Sequence, residues 1–234
     1  VRLINTKYKA VIFDLFGTLV DNFSRAEYES VLAEMAQVVG VPPAEFQRIW
    51  LESFQERNTG VHPNPQYTIK YICQRLGITA TEAQVEKAAR VRLDYTLRSL
   101  SPRPNSVATI KKLNSLGYKT GLVSDCTGDI PMVWEKTPFA NLFYAAIFSC
   151  EIGIKKPDLR IFYIAADRLG VRPQDCLYIG DGGSGELSGA QETGMSPVLL
   201  RDPGESYDMI SLEREDSWNG PRIAYLREVL NLVK

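Results

Sequence analysis

Apolar positions along this chain follow two rhythms. Short, near-continuous runs, "KAVIFDL" (9–15), "KTGLVSD" (119–125), "AAIFS" (145–149), "CLYIG" (176–180) and "SPVLL" (196–200), read as strands buried on both faces. Between them the spacing turns helical. "NSVATIKKLNSLG" (105–117) sets Val107, Ile110, Leu113 and Leu116 on one face and stops at Gly117. "PDLRIFYIAADRLG" (157–170) opens on Pro and Asp and closes on Gly170, and "GELSGAQETG" (185–194) is a shorter version ending at Gly194. Strand and helix alternate, which predicts an open, doubly wound α/β fold with a mainly parallel, Rossmann-like sheet.

Residues 22–100 break that alternation. "SRAEYESVLAEMAQVVG", "PPAEFQRIWLESFQERNTG", "NPQYTIKYICQRLG" and "TATEAQVEKAARVRLDYTLRSL" read as four amphipathic helices with no strand among them. The spacing of Trp50, Phe54, Tyr67 and Tyr71 assigns these aromatics to the core of the bundle, with one or two facing a cleft. The block closes at "SLSPRPNS" (99–106), a proline-bearing connector suited to a hinge. The expected organisation is an α/β core from 1–21 and 101–234, with an α-helical bundle inserted at 22–100. After about residue 203 the pattern weakens to a loop and a final helix in "WNGPRIAYLREVLNLVK".

The 234 residues include 27 basic and 28 acidic side chains without a long basic block, which argues against a nucleic-acid partner. No apolar run approaches the roughly 18–20 residues that span a bilayer, and "VRLINTKYKAVIFDLFG" lacks the apolar core and cleavage site of a leader. Cys73, Cys126, Cys150 and Cys176 form no CxxC pair and have no metal-ligand spacing. They read as reduced, mostly buried thiols of a cytoplasmic protein, with Cys126 nearest the expected site. The single histidine, His62, sits in the proline-flanked "TGVHPNPQ" and is expected in an exposed loop.

In a parallel sheet, ligands bind beyond the carboxyl ends of the strands, so the chemistry is sought in the residues just past each run. The first run ends in Asp14 and the second in Ser124-Asp125; the third leads to Lys156-Pro157, and the fourth to Asp181, with Glu186 five residues on. A carboxylate can attack phosphorus and split one hard step into two through an aspartyl-phosphate. Mg²⁺ suits a site of a few carboxylates and an anionic substrate, while a serine hydroxyl and a lysine ammonium would hold phosphoryl oxygens.

"DLFGT", "LVSD", "IGIKKPDLRIF" and "YIGDGGSGELSGAQETGM" resemble, in this order, the four motifs of the haloacid dehalogenase-like hydrolase superfamily, across about two-thirds of the chain. The inserted helices are similar to the small helical cap of one of its subgroups. The resemblance implies Asp14 as nucleophile, Ser124 as the phosphate-binding hydroxyl and Lys156, rather than Lys155, as the motif lysine. It further implies a Mg²⁺ held by Asp14, the Phe16 carbonyl and Asp181, with Glu186 where the family often has a second Asp. Thr18, Asp125 and Arg25 are expected to touch a small anionic substrate, Asp125 being alternatively a replacement acid or base, or a helix cap.

Phe16 departs from the pattern. Phosphatases of the superfamily usually carry an Asp there as general acid and base, which a phenyl ring cannot replace. Haloacid dehalogenases commonly have an aromatic residue at that position, but work without metal and lack the acidic pair. Three readings compete: a Mg²⁺-dependent phosphatase of a small metabolite, a dehalogenase-type hydrolase, and a weakly active binding or scaffold protein. The retained acidic residues favour the first, because unneeded carboxylates packed beside Asp14 would repel one another without a cation.

Overall fold

In the computed structural model, residues 7–201, 203 and 217–233 are described. The chain enters through β1 (Ala10–Phe13) and then forms five consecutive helices, α1 (Arg25–Val39), α2 (Pro43–Glu52), α3 (Phe54–Asn58), α4 (Pro65–Arg75) and α5 (Glu82–Ser99). It returns through α6 (Ser106–Ser115) to β2 (Lys119–Ser124), then α7 (Asp129–Val133), β3 (Ala145–Phe148), α8 (Ser149–Ile152) and α9 (Leu159–Arg168). The last elements are β4 (Cys176–Gly180), α10 (Glu186–Glu192), β5 (Ser196–Leu200), β6 (Arg222–Ile223) and α11 (Val229–Leu232).

All six strands are parallel, in the order β3-β2-β1-β4-β5-β6. Successive side chains of a strand point to opposite faces. In β1, Val11 and Phe13 join one core cluster with Leu122 and Ile179, while Ala10 and Ile12 join another with Phe162, Tyr178 and Leu187. Both faces are dry, which is why these strands appear in the sequence as unbroken apolar runs.

The insert has a core of its own. Tyr28, Leu32, Met35, Ala36 and Val39 form the buried stripe of α1 against Phe46, Trp50, Ile69, Ile72, Val85 and Ala89. Helix ends are set locally: Thr81 and Gln84 form a capping box at α5, and the Asn64 side chain accepts the Tyr67 N–H at 2.9 Å. The expected second helix of the insert is two, α2 and α3, broken at Ser53.

The two passages into and out of the insert lie side by side. The Arg103 N–H donates to Leu19 O at 2.8 Å, its Nε reaches Asp21 Oδ1 at 2.7 Å, and Ser106 Oγ donates to Leu19 O at 2.8 Å. "SLSPRPNS" is therefore pinned to the segment after β1.

Other expectations need correction. His62 is only 5 % exposed, packed between the rings of Tyr67 and Tyr71, and burial lowers its pKa. Trp50 is core and Phe54 faces a cavity at the strand ends, both within the reading, but Tyr67 is exposed. The C-terminal stretch carries β6 as well as its helix; its first part, 204–216, and residues 1–6 at the start of the chain lie outside the described residues. Among the described residues no disulfide forms and no helix is long and apolar enough to cross a membrane.

Candidate active site

A cavity of about 140 Å³ opens where the carboxyl ends of β1, β2 and β4 meet the insert. Asp14, Phe16, Asp125, Cys126, Lys156 and Asp181 line it from the sheet side, and Phe23, Tyr28, Phe54, Arg57, Asn58 and Arg92 from the insert side.

Asp14 is held by the sheet itself: its N–H donates to Ile179 O of β4 at 2.9 Å. The carboxylate is 5 % exposed and accepts from Lys156 Nζ at 2.5 Å. Burial raises its pKa to about 6, Lys156 opposing and Asp181 adding to the rise. Lys156 also reaches Glu186 Oε2 at 2.5 Å. Burial works against its charge, but Asp14 and Glu186 outweigh it and hold the ammonium well above the usual lysine range.

Glu186 has no exposed surface. Its oxygens also accept from the Tyr178 hydroxyl at 2.8 Å and the Gly182 N–H at 3.1 Å. Burial and the nearby Asp14 push its pKa well up, with Lys156 opposing. Gly180 makes room for it, since a Cβ there would lie 2.0 Å from Glu186 Oε1. Asp14, Asp181 and Glu186 each offer a carboxylate oxygen within 4.8 Å of the others. One lysine among three such carboxylates leaves an excess of negative charge, and oxygen donors in this number fit a hard divalent cation.

Ser124, at the end of β2, is fully buried, and its Oγ has no hydrogen-bond partner among the described residues. Asp125 lines the cavity and accepts the Lys156 backbone N–H at 2.9 Å through Oδ1, so it fixes the segment that presents the lysine. It does not cap α7, whose N-cap Gly128 has no side chain to do so. Thr18 is fully buried and its Oγ1, like the Ser124 Oγ, has no hydrogen-bond partner among the described residues, while Arg25 is exposed on the first turn of α1. None of Thr18, Arg25 and Ser124 is among the residues that line the cavity.

The sequence reading missed Arg57, Asn58 and Arg92. Arg92 shares the buried stripe of α5 with Val85, Ala88, Ala89 and Tyr95, and a cation on an apolar stripe is a signal that could have exposed it. It pairs with Asp129 at 2.9 Å, both side chains being almost wholly buried. Arg57 comes after Trp50 and Phe54 at helical spacing and stacks over the Trp50 ring at 4.5 Å.

A parallel sheet presenting a buried carboxylate, a lysine and further acids at one edge offers the groups that covalent catalysis at a carboxylate requires. Comparison with known proteins points the same way. The family profile of haloacid dehalogenase-like hydrolases matches residues 8–194, and the chain belongs to that family. It is 29 % identical over 230 residues to a glyceraldehyde 3-phosphate phosphatase of Methanopyrus kandleri, covering 97 % of each chain. A 2-haloacid dehalogenase of Pseudomonas syringae superposes with a TM-score of 0.69 at 24 % identity, over 96 % of this chain and 97 % of the other. A family enzyme of Bacteroides thetaiotaomicron, solved with magnesium and inorganic phosphate, superposes with a TM-score of 0.62 at 20 % identity, over 86 % and 97 %.

Proposed function

We propose that this hydrolase is a Mg²⁺-dependent phosphatase of a small phosphorylated metabolite, acting through an aspartyl-phosphate at Asp14. The observation that carries the reading is the group Asp14, Asp181 and Glu186 around Lys156, whose uncompensated negative charge calls for a cation beside an anionic substrate. Asp14, the Phe16 carbonyl and Asp181 would hold the ion, with Glu186 adding its charge to the set. The bound ion would neutralise the carboxylates and polarise a phosphoryl oxygen. The relative named as a phosphatase, matched over nearly its whole length, supports the same reading.

In the first step an Asp14 carboxylate oxygen attacks phosphorus and the P–O ester bond breaks, the alcohol leaving with a proton drawn from water. In the second, water attacks the aspartyl-phosphate, releasing inorganic phosphate and restoring Asp14. Lys156 holds negative charge at the reacting centre, and Ser124 Oγ is free to donate to a phosphoryl oxygen. The helices of 22–100 act as a cap on a core of 1–21 and 101–234, excluding water and contributing specificity. Four thiols without a disulfide agree with a reducing, cytoplasmic setting. Phosphate release assayed with Mg²⁺ and with chelator, beside Asp14→Asn, tests the reading: release must need both the ion and the carboxylate.

A second reading, halide displacement from a 2-haloacid, is favoured by the Phe16 ring in the cavity wall and by the dehalogenase neighbour. Halide leaves without a proton, so the missing acid would not slow it. Halide release insensitive to chelator would establish this reading and overturn the first.

A further inference from the structure

Strands β2 and β3 run parallel, with Ser124 in register with Phe148. Two residues further along each chain stands a cysteine, Cys126 past the end of β2 and Cys150 in the first turn of α8. Their sulfurs lie 3.9 Å apart. Neighbouring strands are about 4.8 Å apart and a disulfide joins Cα atoms about 4.4–6.8 Å apart, so chains leaving adjacent strands in register suit a bridge. Cys73 and Cys176 belong to the two other core clusters, each away from this pair.

The pair borders the active site. Cys126 lines the cavity directly after Ser124 and Asp125, and Cys150 is half-buried behind it. Ser149 Oγ accepts the Cys126 N–H at 2.9 Å and lies 2.7 Å from Asn58 O of the insert. A Cβ at Gly60 would fall 2.1 Å from Cys150 O, so the insert also passes directly against the second cysteine. An S–S bond of about 2.0 Å requires at least one of the two residues to move. If Cys126 yields, the segment carrying Ser124 and Asp125 shifts with it. If Cys150 yields, the contact that seats the insert shifts instead. Misplacement by about 1 Å can cost about a hundredfold in rate.

We propose that Cys126 and Cys150 form a peroxide-sensitive modification site, closing to a disulfide that deforms the cavity and stops turnover until a dithiol reopens it. Cys150, the more exposed of the two, meets the oxidant first. Burial, and then the neighbouring Cys150, raise the Cys126 pKa and keep that thiol from being the first nucleophile. The Cys150 thiolate attacks one oxygen of hydrogen peroxide, the O–O bond breaks, and hydroxide takes a proton and leaves as water. The sulfur is thereby oxidised to a sulfenic acid. The Cys126 sulfur then gives up its proton and attacks that of Cys150; the S–O bond breaks and a second water departs. The thiol chemistry is independent of which reaction the cavity performs.

The test treats the Mg²⁺-loaded protein with hydrogen peroxide, then unfolds and alkylates it. Two of the four thiols are expected to resist alkylation, and mass spectrometry to find a peptide joined through Cys126 and Cys150. Phosphate release, or halide release if that is the reaction found, is expected to fall at least about tenfold and to return with dithiothreitol. Cys150→Ser is expected to keep the parent rate and lose the sensitivity; thermal melts confirm that it folds, and Cys150→Ala repeats the comparison. Four alkylated thiols, a bridge between other cysteines, a loss that dithiothreitol does not reverse, or equal sensitivity in Cys150→Ser overturns the site. A Cys126–Cys150 bridge that leaves the rate unchanged overturns the control of turnover. If no phosphate ester is hydrolysed, the phosphatase reading fails by itself, and the peptide map still decides whether the pair closes.

Discussion

The rings of Phe16 and Phe23 lie 4.8 Å apart, centroid to centroid, and Phe23 continues to Tyr28 and Tyr95 of the insert at 5.7 Å each. The residue two places after the nucleophile thus belongs to an aromatic seam between sheet edge and insert, where a proton donor would otherwise stand. A general acid is worth about 10²–10⁴-fold in rate, mostly for leaving groups that need a proton. Hydrolysis is therefore expected to depend steeply on the leaving group, p-nitrophenyl phosphate exceeding an alkyl phosphate by about a hundredfold or more in kcat. Phe16→Asp is expected to narrow that gap. Equal rates on the two esters in the parent protein would show that another group supplies the proton.

Arg92 and Asp129 tie the insert to the sheet through a buried pair, reinforced by Thr96 Oγ1 at 2.5 Å from Asp129 Oδ2 and by Thr127 on Oδ1. Burial pushes the Asp129 pKa up, but Arg92, Thr127 and Thr96 together outweigh it and hold the carboxyl below its ordinary value. Removing one partner of such a pair costs about 3–5 kcal/mol, since the other charge stays buried. Asp129→Asn is expected to lower Tm by about 10 °C. A carboxyl with a depressed folded pKa stabilises above its unfolded pKa of about 4 and loses that contribution as pH falls toward the folded value. Melts of the parent protein should fall across that acid range, and those of Asp129→Asn should fall less; parallel acid limbs would show that the pair is not the titrating element.

Strands β1 to β5 were legible in the sequence because burial on both faces writes itself as continuous apolar runs, and α6, α9 and α10 because their apolar positions recur at helical spacing; the short α7 and α8 carry no such pattern and were not read. Asp14, Asp125, Lys156 and Asp181 were legible because they stand just past those runs, and a parallel sheet collects its carboxyl ends at one edge. The insert wall was not. Arg57 and Arg92 sit on amphipathic helices, where a charge ordinarily marks the solvated face, and only tertiary packing shows that theirs is buried. His62 failed for the same reason, its loop being covered by Tyr67 and Tyr71. Strand β6 is two residues long and stands on pairing with β5 rather than on a pattern of its own.

A cation bound among Asp14, Asp181 and Glu186 would stabilise the fold by mass action. At a hundredfold excess over Kd that amounts to about 2.7 kcal/mol, or about 5–10 °C in Tm. Mg²⁺ is expected to raise the melting temperature of the parent protein and to have little effect on Asp181→Asn, whether or not a substrate has been found. A rise of the same size in both proteins would place the ion elsewhere.

Gly17 offers a test of the turn that joins nucleophile to insert. Its φ is +73°, in the left-handed region that L side chains seldom enter, and a Cβ there would fall 2.0 Å from Asp181 Oδ2 and 2.9 Å from Asn22 Nδ2. Its carbonyl also accepts from Arg103, the residue that pins the return from the insert. Gly17→Ala must therefore distort the backbone behind Asp14, displace the Asp181 carboxylate, or both. The backbone strain alone is of order 1–3 kcal/mol, so a Tm loss of about 2–10 °C is expected. If Asp181 is displaced, the Mg²⁺ needed for half-maximal phosphate release should rise as well. A loss of stability with an unchanged Mg²⁺ requirement would mean that the turn yields and the carboxylate keeps its place.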